Sequence, residues 1–149
     1  MKNYVPVAIV FAGLFLISIT NNSCTKQSDS SGLPKEQLIM GHWNINRIQL
    51  RIYYNGVFSK DTIIHQTPMP ENFVDFSAGE NFEYRFNVSA SDVGSYHFSG
   101  ADSVISSTAS NVYRWKMLTL TDVLFTVMST STDPAFPGAT VERYQTFVK

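Results

Sequence analysis

The side chains able to do acid–base, metal or nucleophilic chemistry are spread thinly along this 149-residue chain. The three histidines, His42, His65 and His97, fall in three different segments, and no two have a spacing that would set them side by side on one strand. A zinc site needs three or four converging N, S or O ligands, so no metal is expected and the histidines read as surface or rim residues. Asp61, Asp75, Glu80, Glu83, Asp92, Asp102, Asp122, Asp133 and Glu142 occur singly, most at turn-like positions where a carboxylate caps backbone. Nothing in their spacing nominates the paired carboxyls of a glycosidase, which flank a cleft roughly 5–9.5 Å apart. Gly-x-Ser-x-Gly and a phosphate-cradling glycine loop are missing. Serines crowd Ser89 to Ser110 and Ser129 to Thr132, where loop and edge solvation accounts for them. The expectation is a protein with no catalytic residues and no cofactor.

The aromatic residues carry more signal. Phe82, Tyr84, Phe86, Tyr96, Phe98 and Trp115 stand at alternating positions and are the candidate lining of a cavity for a small apolar or amphipathic ligand. The same alternation also describes a barrel of about eight strands whose interior is filled by its own side chains. Tyr113-Arg114-Trp115-Lys116 alternates two aromatics with two cations. That pattern fits a sugar- or anion-binding face, and equally any strand with one wet side.

The remaining chemically distinctive residue is Cys24, the only cysteine, which removes any disulfide framework within the chain. Lys2 precedes an uncharged, mostly apolar run from Val5 to Ile19, the pattern of an export signal. The run is shorter than the ~20 residues a membrane-spanning helix usually needs. Thr20-Asn21-Asn22-Ser23-Cys24 follows and resembles the lipobox of bacterial lipoproteins, in which the cysteine is acylated and becomes the first mature residue. Ser23 fits the small residue expected before the cysteine; Asn21 stands where an aliphatic residue is usual. A cleaved secretory signal and an uncleaved anchor are the alternatives. The expected organisation is a signal peptide over 1–23, a lipidated cysteine and polar tether over 24–32, and one folded domain over 33–149. Without Lys2 the mature chain carries ten basic and twelve acidic residues, a net charge near −2. No basic face is implied, and nucleic acid is not an expected partner.

The domain must then be built from strands. Pro34 and Gly41 bracket a helix of one or two turns. From Trp43 the apolar period becomes two, and its parity flips between Ile45 and Ile48, which predicts a bulge near Asn46-Arg47. Asn55-Gly56 predicts a tight hairpin into Val57–His65. Pro68 and Pro70 interrupt the pattern. Further strands are expected over Asn72–Phe76, Asn81–Val88, Gly94–Ser99, Ser103–Ser107, Val112–Leu120, Val123–Thr130 and Thr140–Val148. With no helical segment to make crossovers the sheet is antiparallel. Closure into a barrel manages its edges most completely, with a sandwich as the alternative.

Several motifs in order are similar to those of small lipocalin-like lipoproteins of Gram-negative envelopes. They are Gly41-His42-Trp43 after the short helix, Phe73-Val74-Asp75-Phe76, Gly94 to Asp102, Leu118 to Phe125, and Glu142 to Lys149. Thr121-Asp122 resembles the start of the lipocalin Thr-Asp-Tyr motif, with Val123 in place of the tyrosine. The resemblance implies an all-β, up-and-down antiparallel barrel of about eight strands, closed at one end by Trp43 with Arg143 stacked on it. It also implies a non-enzymatic envelope protein, held at the outer membrane through lipid on Cys24. Its partner would be a small apolar ligand or, with a filled barrel, another envelope protein.

Overall fold

The computed structural model describes residues 32–67, 70–87 and 90–149. The segments expected to be the signal peptide and the tether up to Ser31, with Cys24, lie outside the described residues, as do Pro68, Met69, Val88 and Ser89. Helix α1 is a single turn, Lys35–Leu38, entered from Pro34, whose carbonyl accepts the Gln37 and Leu38 N–H groups at 2.9 and 3.0 Å. Nine strands follow: β1 Gly41–Tyr54, β2 Val57–His65, β3 Phe73–Ser77, β4 Asn81–Arg85, β5 Asp92–Phe98, β6 Ser103–Thr108, β7 Val112–Leu120, β8 Leu124–Ser131 and β9 Ala139–Val148.

All pairings are antiparallel. Strands β1, β3, β4, β5, β6, β7, β8 and β9 pair in that order, and β9 pairs again with β1, so eight strands close an up-and-down, lipocalin-like ring. A sandwich is thereby excluded. The ninth strand, β2, pairs only with β1 and hangs outside the ring. The reason lies in the length of β1. Gly41–Asn44 pair with β3, while Ile48–Tyr54 pair with β2 on the same edge. The expected bulge falls where β1 changes neighbours: its register against β9 shifts between Ile45 and Arg47. Asn55 (φ 51°) and Gly56 (φ 77°) turn β1 into β2, the left-handed pair that a two-residue hairpin requires.

The free edge of β2 carries exposed Val57, Phe58, Ile63 and Ile64. Register shifts at both ends of the strand and a central Lys60 blunt this edge, as exposed strands require. Strand β4 stops at Arg85, short of the expected Val88. Asn87 turns left-handed (φ 52°) and its N–H is held at 2.9 Å by the side-chain oxygen of Asn72, which is buried between β2 and β3 in the chain.

The inward residues seal one end. Helix α1, the β3–β4, β5–β6 and β7–β8 turns and the C-terminus all gather there. Trp43 is fully buried, and its Nε1 donates to the Ile39 carbonyl at 2.6 Å. Phe125 lies 5.6 Å from Trp43 and 5.4 Å from Phe147, and Phe76 links Phe125 to Phe82 and Tyr96. These rings pack at offset and edge-on angles that add to the transfer energy of burial.

Arg143 does not stack on Trp43. The cation over that ring is Lys149 Nζ, 4.4 Å from the centroid and 3.3 Å from the Leu38 carbonyl. Register is the cause. Val148 stands opposite Asn44, whereas Arg143 stands opposite Leu50, six residues further along β1. At ~3.3 Å per residue that is about 20 Å along the strand.

Candidate ligand-binding mouth

The opposite end collects the β4–β5, β6–β7 and β8–β9 connections and the segment after β2. Its side chains follow from alternation. On β4 Phe82 and Tyr84 face inward, on β7 Trp115 and Tyr113, and on β9 Phe147, Gln145 and Arg143. Each series climbs from the sealed core towards the open end. Phe82, Trp115 and Phe147 are buried; Tyr84 and Tyr113, one step higher, are partly exposed, as is Arg143, whose side chain is 31% exposed.

Tyr84 and Tyr113 lie 5.0 Å apart and rest on the layer below. Tyr84 is 5.8 Å from Trp115, and Tyr113 is 5.6 Å from Phe82. The result is an aromatic floor with a polar margin. Gln145 Nε2 donates to the Tyr84 hydroxyl at 3.1 Å. The Tyr113 hydroxyl donates to Asp92 Oδ2, which also accepts from Asn111 Nδ2 at 2.7 Å. Arg143 is held loosely, 4.0 Å from Asp133, and its positive charge also acts on Tyr84.

These contacts move the acidities in opposite directions. Burial raises the Tyr84 phenol, and burial followed by the adjoining Asp92 raises Tyr113, so both remain protonated donors at neutral pH. The hydrogen bond from Tyr113, then that from Asn111, lowers Asp92. A carboxyl depressed by folding stabilises the fold above its unfolded pKa, and that contribution is lost as the pH falls through the depressed value. Tyr113→Phe should therefore raise the Asp92 pKa towards the ordinary carboxylate value, read as a rightward shift of its carboxyl carbon titration by NMR. An unmoved titration would contradict the assigned donor.

Ser106 is inward on β6, opposite Tyr96 and Tyr113, and fully buried. Its Oγ has no hydrogen-bond partner. The sequence placed it among solvated serines; alternation with buried Val104 turns it into the wall instead. An unpaired buried hydroxyl costs roughly 1–3 kcal/mol. Ser106→Ala should accordingly leave the protein as stable as the parent or up to about 2 kcal/mol more stable in urea titration. A loss of stability would mean that Oγ has a partner.

The six aromatics expected to line a cavity divide. Phe82, Tyr96 and Trp115 are sealed in the core. Phe98 lies at the closed end, beneath Lys35 Nζ at 4.4 Å. Phe86 meets His65 edge-on, 6.0 Å between centroids. Of the six, Tyr84 forms part of the floor of the mouth, and Phe86 lies just beyond it at the same end. Tyr113, read from the sequence as part of the alternating Tyr113–Lys116 strand, joins Tyr84 there; Gln145 and Ser106 were missed as site residues, although the parity of β9 placed Gln145 with Phe147.

The histidines remain apart. His42 Nδ1 is 3.3 Å from Asp75, and His97 is exposed. His65 is buried, against expectation, with Nε2 3.3 Å from the Ile45 carbonyl. Among the described residues no three His, Cys, Asp or Glu side chains gather to hold a metal, and no helix is long and apolar enough to cross a membrane. No protein-family model matches the chain, and no curated protein matches it.

Proposed function

We propose that this is an exported, non-enzymatic lipoprotein of the bacterial cell envelope. It is anchored at the outer membrane by lipid on Cys24, and its barrel takes a small amphipathic ligand at the open end. The observation behind the ligand is the gradient of exposure along the inward side chains. The closed half is packed ring against ring, while Tyr84, Tyr113 and Arg143 face inward and still reach solvent. An apolar body would lie on the tyrosine floor, where stacking and burial favour it. A polar or anionic head would meet Arg143.

A fatty-acid titration followed by tryptophan emission tests this reading, because Trp115 lies directly beneath Tyr84 and Tyr113. With laurate as the probe, saturable change is expected in the parent and weaker binding in Arg143→Gln. A flat titration with laurate and with its neutral alcohol would contradict a ligand at the mouth. The second reading, a protein-interaction module, draws on the exposed apolar residues of β2; it predicts that an envelope partner co-purifies and that laurate has no effect. The anchor is tested separately. Fatty-acid labelling in cells should mark the parent and spare Cys24→Ala, and an unlabelled parent would leave an exported barrel without lipid.

A further inference from the structure

The outer wall of the barrel, away from the mouth, holds a second concavity. Strands β6, β7 and β8 form an open groove of about 300 Å³ whose lining includes Ser99, Ile105, Arg114, Lys116, Met128 and Thr130. Its shape has two causes in the strands. Strand β7 slips register against β8 between Met117 and Thr119, and β6 is shorter than β7. Ile105 stands opposite Arg114 and Met128 opposite Lys116, so two half-buried apolar side chains lie beside two exposed cations.

The cations are distinguished by what they lack. Nine lysines and arginines fall within the described residues. Seven are engaged: Lys35 with the Gly100 carbonyl, Arg47 with Gln49, Arg51 with Asp61, Lys60 with the Phe136 ring, Arg85 with the Glu71 carbonyl, Arg143 with Asp133, and Lys149 with Trp43. Among these nine, Arg114 and Lys116 alone have side chains with no hydrogen bond, ion pair or ring contact, and both line this groove. Asp102, next in the chain to the lining residue Ser103, accepts from the Ser103 hydroxyl at 3.4 Å and makes no ion pair with Lys116. Two positions apart on one strand, the two side chains leave the sheet about 7 Å from each other, close enough for their tips to meet on one anion.

We propose that this groove binds a phosphoryl group carried on a small polar body. A phosphate monoester bears a charge of about −1.5 to −2 at neutral pH and three acceptor oxygens. That matches two unneutralised cations, one a guanidinium fork suited to two of the oxygens and one a compact ammonium. The Ser99 and Thr130 hydroxyls stand at the margins for the body's polar groups, and the volume exceeds what bare phosphate fills. The group's source is a soluble phosphorylated sugar or the headgroup of an anionic lipid. The site is independent of the mouth, so either stands if the other fails.

The test uses the full chain in phosphatidylcholine nanodiscs, with the backbone amides of Arg114, Lys116 and Thr130 followed by NMR. Glucose 6-phosphate is added in one arm, inorganic phosphate in the second and neutral glucose in the third; the fourth includes phosphatidic acid in the disc. Saturable shifts with glucose 6-phosphate, weaker with phosphate and missing with glucose, assign a soluble phosphate ester. Shifts only in the phosphatidic acid arm assign a lipid headgroup. In R114Q/K116Q the affinity should fall roughly tenfold for each cation lost, with the melting temperature and laurate binding unchanged. No shift in any arm, equal shifts with glucose, or undiminished affinity in the double variant would overturn the proposal.

Discussion

Trp43→Ala should lower the unfolding free energy by about 4–5 kcal/mol, at the upper end of the range for buried Trp truncations. Trp43 is fully buried, bonded to the Ile39 carbonyl and packed on Phe125, so truncation opens a void at the closed end and leaves that carbonyl without its donor. It also frees Lys149 from the ring it covers. Trp43→Phe separates the contributions. It keeps most of the apolar volume and loses the indole N–H, so a cost nearer 2 kcal/mol is expected. The measurement is equilibrium unfolding in guanidinium chloride. A loss below about 1 kcal/mol for Trp43→Ala, well under the usual range for such truncations, would remove Trp43 as the closure of the barrel. Lys149→Ala should change stability far less, because an exposed cation–π contact contributes about 0.5–1 kcal/mol.

Gly94→Ala is the second large effect, expected at roughly 3 kcal/mol, the upper end of overpacking costs. A Cβ on Gly94 would sit 1.9 Å from the Ser107 carbonyl oxygen and 2.9 Å from Thr108 Cα. Those atoms belong to the backbone of β6, which is paired on its other side to β7, so they cannot swing away as a side chain would. The cost is steric. Gly94 has no left-handed φ, unlike Gly100 (φ 77°), where a Cβ meets nothing within 4 Å. Gly100→Ala serves as the comparison, with about 1 kcal/mol expected from backbone conformation alone. Urea midpoints for the two variants should fall in that order. Equal losses would mean that β5 and β6 do not approach as closely as the structure places them.

The features legible in the sequence were those encoded by neighbouring residues. Asn55-Gly56 specified its own turn, and the parity flip around Asn46-Arg47 marked the bend of β1. Alternation in β4, β7 and β9 set which side chains face inward. What alternation does not encode is who sits beside whom. Nothing local indicates that β2 leaves the ring, because its exclusion follows from β1 having one edge and two claimants, β2 and β3. Depth was equally hidden. Phe82 and Tyr84 share a face and a pattern, yet one lies in the sealed core and the other at the mouth. Arg143 shows both limits. Its inward parity was readable, but its level along the barrel depends on the β1–β9 register. That register places Lys149, not Arg143, at Trp43.

The proposed site suffered most from this. Six aromatics were nominated on composition and parity, and depth left Tyr84 on the floor of the open end, with Phe86 beyond it against His65. Tyr113 joins Tyr84 there, and Gln145 and Ser106 lie buried at the same level, because three separate strands reach that level together. Ser106 does not stand out in a serine-rich stretch, and Gln145 stands among other polar residues of β9. Their inward direction becomes visible once flanking Val104 and Phe147 are known to be buried.

Native mass spectrometry of the full chain, extracted gently from its own membranes, tests most directly that the open end of the barrel is occupied. The account predicts a second species, heavier than the processed and acylated chain by the mass of one small molecule. Collisional activation should release that molecule, and Arg143→Gln should reduce the population of the complex. A single bare species in the parent, matched by unchanged tryptophan emission with laurate, would contradict a ligand-binding barrel.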